Sequence, residues 1–142
     1  MANANAANAV EKPSSKLETL RAAKEKRAEG RAKEFEKLEV EALELEEKYE
    51  TSGLKFGVDF NVETTAIGNF VVRKPEFLVA KKFADAATKS VEEVTQFVAP
   101  CVIFPEQMEA RMAFQEHGGI AWKLAAVLMK LYEADVGAVR GK

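Results

Sequence analysis

From Lys16 to about Glu50 the sequence runs almost unbroken through Ala, Glu, Lys, Arg and Leu. These residues lose little backbone or rotamer freedom in a helix, so a run this long commits the chain to one long α-helix. Ser15-Lys16-Leu17-Glu18 reads as a capping box at its start, with the hydroxyl on a first-turn amide and the carboxylate reaching back. Ser52-Gly53 is a natural stop, and Gly30 is the one weak point, where the helix could hinge. The expected span is 15–52.

The second half of this helix carries an apolar stripe. Phe35, Leu38, Ala42, Leu45 and Tyr49 recur at alternating spacings of three and four, which puts them on one side. That side must pack on a partner or on the chain's own core. The same register extended backwards meets Arg31, Ala28, Lys24 and Arg21 before reaching Leu17, so the first half offers little seam for a coiled coil. The charges divide in the same way. Lys16 to Lys33 holds seven basic and three acidic residues, and Glu34 to Glu50 holds two basic and eight acidic. This order opposes the helix dipole, which favours acids at the N-terminal end and bases at the C-terminal end.

Beyond the helix the pattern changes. Leu54, Phe56, Val58, Phe60 and Val62 alternate with polar residues or glycine, as in a half-buried strand. Thr64 to Gly68 is turn-like, and Asn69 to Arg73 completes a β-hairpin that needs helices against its apolar face. Pro75 opens a helix with Phe77, Ala80, Phe83, Ala84 and Ala87 on one side. Ser90-Val91-Glu92-Glu93 is a second capping box, starting a helix with Val91, Val94, Phe97 and Val98 inward until Pro100. Pro105 begins another, with Met108, Met112 and Ala113 inward, Phe114 a further candidate for that side, and His117-Gly118-Gly119 as its stop. Ile120 to Tyr132 is the densest apolar stretch and reads as the central helix.

These readings make an α+β protein, a β-hairpin packed on a small helical bundle, with a long charged N-terminal helix. Its parts are a disordered Ala/Asn tail over 1–14, the helix over 15–52, a hairpin-plus-helices domain over 53–136 and a frayed tail over 137–142.

The residues also bear on chemistry. A formal net charge of -2 gathers neither nucleic acid nor an acidic membrane over the whole surface, and the longest apolar stretch falls short of the roughly 20 residues that span a bilayer. Cys101 is the single cysteine and His117 the single histidine, too few for a hydrolytic triad or a structural zinc site. The glycines match no phosphate-binding loop. The expectation is a non-enzyme with no cofactor and no metal. Arg73, Lys74, Lys81 and Lys82 form a basic group without interleaved aromatic platforms, which reads as a solvated face. With no disulfide partner for Cys101 and no basic, apolar leader in MANANAANAV, the cytoplasm is the expected compartment.

The order of pieces then carries a resemblance. An acidic helix leads into a hairpin ending in Phe70-Val71-Val72-Arg73-Lys74-Pro75, followed by Lys81-Lys82-Phe83, then Cys101-Val102-Ile103-Phe104-Pro105, then a terminal helix from Gly119-Ile120. From about Leu43 to Ala134 this resembles the small tail assembly chaperones of long-tailed bacteriophages. The resemblance implies a non-enzymatic helper that transiently binds the helical tape-measure protein and tail-tube subunits. It carries no catalytic residues. The contact residues expected from the sequence pattern are Phe35, Leu38, Leu45 and Tyr49 on the stripe, with Trp122, Met129 and Tyr132 on the last helix. The charged extension before Leu43 departs from the family pattern and opens a second reading, a structural or scaffold protein oligomerising through its N-terminal helix.

Overall fold

The computed structural model describes residues 13–140, and the chain divides into two compact units, 1–37 and 38–142. Helix α1, Pro13–Thr51, passes unbroken through Gly30. Proline suits a first turn, where its missing N–H would have no partner in any case. Ser15 is therefore inside the helix rather than capping it, and its carbonyl accepts a 3.0 Å hydrogen bond from the Thr19 hydroxyl. Pro13 and Ser14, expected in the tail, are helical, while residues 1–12 lie outside the described ones. Within the first unit every described residue is exposed except the half-buried Ala23.

The second unit is α+β. Its sheet has three antiparallel strands in the order β1-β2-β3, with β1 at Phe60–Thr65, β2 at Gly68–Arg73 and β3 at Val102–Phe104. β1 and β2 pair from Phe60↔Arg73 to Thr65↔Gly68 across the Ala66-Ile67 turn. Gly68 sits at φ 140°, a conformation that residues with a Cβ avoid. The Thr65 hydroxyl closes the turn on the Gly68 carbonyl at 2.7 Å. The expected hairpin is thus present, and a third strand extends it, since Val102-Ile103-Phe104 pairs with β2.

Leu54 to Asp59 does not continue β1, despite its alternation. Gly57 at φ 81° turns the chain, and the Asp59 carboxylate accepts from the Lys55 amide at 2.8 Å, closing a local loop. Local hydrogen bonds outcompete the strand ladder there.

Four helices complete the unit: α2 (Phe77–Asp85), α3 (Val91–Val98), α4 (Gln107–Glu116) and α5 (Gly118–Arg140), with a short 3₁₀ turn over Ala99–Cys101 after α3. The Ser90 cap is present, its hydroxyl accepting from the Glu93 amide at 3.2 Å. Helix α5 continues to Arg140 through residues expected to fray, and 141–142 lie outside the described residues. Along it Ile120, Ala121, Leu124, Ala125, Val127, Leu128 and Leu131 are all buried, each larger side chain contributing about 1.5–3 kcal/mol of transfer free energy. The Phe83 and Phe97 rings stack at 4.1 Å and join α2 to α3.

Strand β2 is covered on both faces. Phe70 and Val72 belong to the cluster built on α3, α4 and α5, while Val71 belongs to a second cluster with Leu45 of α1 and Phe60. This explains why Phe70-Val71-Val72 is continuously apolar, a pattern that a half-exposed strand would not show.

Candidate protein-docking surface

The residues expected to touch a partner fall into three groups. Phe35, in the first unit, is 54% exposed. Leu45 and Tyr49 pack on their own sheet, and Leu38 shares their side of α1. Leu45 is 7% exposed against Phe60 and Val71, Tyr49 packs its ring 5.8 Å from that of Phe60, and Leu38 is half-buried. The Tyr49 hydroxyl donates to the Ile103 carbonyl at 3.4 Å. A stripe that could have served a partner is here largely the chain's own core, because the sheet needs cover on that face. Met129 and Tyr132 are half-buried against the helical cluster, with Tyr132 5.6 Å from the Phe77 ring, so of the three on α5 Trp122 alone is exposed, at 43%.

A buried side chain that sequence reasoning missed holds α1 to the sheet. Asn69, almost wholly buried, donates from one amide nitrogen to the Leu38 carbonyl at 2.8 Å and to a Glu41 carboxylate oxygen at 2.9 Å. Its own amide oxygen accepts from the Thr64 hydroxyl at 2.6 Å. A buried amide is tolerated because it is bonded at both ends.

The surface itself holds what the pattern hid. Met108 and Met112, expected inward, are 80% and 60% exposed, and Val91, also expected inward, is exposed. Helix α4 carries two apolar pairs at i,i+4, Met108/Met112 and Ala110/Phe114, on opposite sides, and the second pair is the buried one. Phe114 stacks on Phe70 at 5.9 Å, a contact that flexible methionines cannot match in ring area. Between α3 and α4 lies an open groove of about 510 Å³ lined by Val91, Thr95, Gln96, Phe114 and Gln115. A neighbouring depression shares Thr95, Gln96 and Gln115 and continues to Ala99 and Arg111. Arg111 and Gln115 each follow a methionine by three residues, so the exposed Met108 and Met112 neighbour these two lining residues on the surface of α4.

No family model, curated protein or solved structure matches the chain.

Reactive chemistry around this surface is sparse. Burial pushes the Cys101 thiol up to about 11, and its Sγ lies 3.6 Å from the Phe97 carbonyl, as a protonated donor would. His117 is exposed and ends α4, its amide donating to the Ala113 carbonyl at 2.8 Å. Among the described residues no group of three or more His, Cys, Asp or Glu is placed to hold a metal, and no helix is long and apolar enough to cross a membrane.

Proposed function

We propose that the protein is a tail assembly chaperone of the long-tailed phage type, holding a helical segment of a tape-measure protein during tail assembly in the host cytoplasm. The observation that carries this reading is the groove between α3 and α4 together with the exposed Met108 and Met112 on α4. An amphipathic helix laid in such a groove buries its apolar side, and unbranched methionines adapt to successive, non-identical turns of a long helical partner. Reversibility follows from the size of the contact. A few methionine and valine side chains supply about 1.5–3 kcal/mol each before the costs of association are met. Delivery of tail-tube subunits belongs to the same reading, which needs neither a catalytic residue nor a cofactor.

The test is co-expression with a candidate tape-measure protein, whose recovery in the soluble fraction, bound to this chain, is the expected result. The double substitution Met108→Asp and Met112→Asp should lower recovery at least about tenfold, the equivalent of about 1.4 kcal/mol, with the circular dichroism spectrum unchanged. Equal recovery with the unaltered chain and this variant would remove the groove as the docking site.

A further inference from the structure

The charges of α1 are sorted around the helix as well as along it. At 3.6 residues per turn, Lys16, Leu17, Leu20, Lys24, Arg27 and Arg31 share one side of the first unit, with Arg21 at its margin. Glu18, Glu25 and Glu29, all the acids of that stretch, fall together on the opposite side, and Lys26 and Lys33 lie between. The result is a basic side with two exposed leucines in it.

In the second unit, the side of α1 turned away from the sheet has the complementary composition. Val40 and Leu43 are exposed there, bordered by the exposed Glu39, Glu44, Glu47 and Glu50. Leu17/Leu20 and Val40/Leu43 have the same three-residue spacing, one helical step apart on their surfaces. The ion pairs formed among the described residues are Lys74–Asp135 and Lys123–Glu63, so neither charged side of α1 is neutralised within the described fold.

We infer that the basic side of Lys16–Arg31 in one copy docks on the acidic, Val40/Leu43-bearing side of α1 in a second copy. Every chain carries both surfaces, and each has the charge sign and apolar spacing that the other accepts. The two surfaces are different patches of one chain, so the contact forms twice in a two-fold pair or once per added chain in a head-to-tail array. In either arrangement association rises with concentration. This contact is separate from the α3–α4 groove, and either can fail without the other.

The full chain alone, in sedimentation velocity over a range of concentrations, tests this directly. At about 0.1 M salt the weight-average mass should climb with concentration above the 15.7 kDa of one chain. It should fall back towards one chain at about 1 M salt, where the screening length shrinks from about 10 Å to about 3 Å. The variant Lys24→Glu/Arg27→Glu/Arg31→Glu and the variant Glu39→Lys/Glu44→Lys/Glu47→Lys should each stay monomeric, whereas an equimolar mixture should associate again, because each then offers what the other lacks. All six positions are exposed, and the unaltered chain in the salt series decides the matter even if a variant misfolds. A chain that stays monomeric at every concentration overturns the inference. So does association indifferent to salt, a mixture that stays apart, or a monomer that binds a single-stranded oligonucleotide through Lys24, Arg27 and Arg31.

Discussion

One helix, α1, presents two regions of similar helix-forming composition and opposite fate. From Pro13 to Lys37 its described side chains are exposed, with Ala23 half-buried, whereas from Leu38 to Thr51 one side is spent on the sheet through Leu45 and Tyr49, with Leu38 and Ala42 half-buried. Propensity alone does not separate them, since Ala, Glu, Lys and Leu dominate both. The difference lies in side-chain periodicity. A stripe of large apolar residues can be buried, while a stripe of Arg31, Ala28, Lys24 and Arg21 cannot be without stripping water from its charges. Leu17, Leu20 and Phe35 remain at the surface in the first region as isolated apolar points in a charged field.

The widest separation between the regions is expected from paired truncations. Leu45→Ala should cost about 2–5 kcal/mol in urea unfolding, because the cavity would open between Phe60 and Val71. Asn69→Leu should cost about 1–3 kcal/mol in the same measurement, since the Glu41 carboxylate and Thr64 hydroxyl lose a buried partner. Hydrogen exchange in that variant should rise at the start of the sheet-packed region, near Leu38, before it rises at Tyr49; uniform protection would show that Asn69 is not the clamp. Phe35→Ala marks the small end, with a change within about 0.5 kcal/mol at low protein concentration. A loss there comparable to that of Leu45→Ala would abolish the contrast between the two regions.

Legibility in the sequence followed how many independent signals agreed. The long helix, the Ser90 cap and the Ile120 to Tyr132 core each had composition and spacing pointing the same way, although the Ser15 box put the start of the long helix too late. Leu54 to Asp59 had the alternation of a strand but also Gly53 and Gly57, and the glycine turns prevailed. β3 is short and follows Pro100, so its pairing with β2 had no local signature. On α4 the Met108/Met112 and Ala110/Phe114 pairs were equivalent by period, and choosing between them required knowing where Phe70 would lie. For that reason period alone did not say which apolar sides stay at the surface: Leu45 of the stripe went inward with Leu38 and Tyr49 half-buried, and the methionines assigned to the core went outward.

The sequence by itself determined that α1 exists, where its charge changes sign, which residues share its apolar side and that the last helix must be central, because these depend on propensity and period along the chain. Tertiary structure decided which apolar sides meet. The sheet has two faces to cover, and β2 is apolar on both, so α1 was drawn onto one face and α3, α4 and α5 onto the other. Burial is a pairwise property of surfaces distant in sequence, and a period can nominate a face without naming its partner.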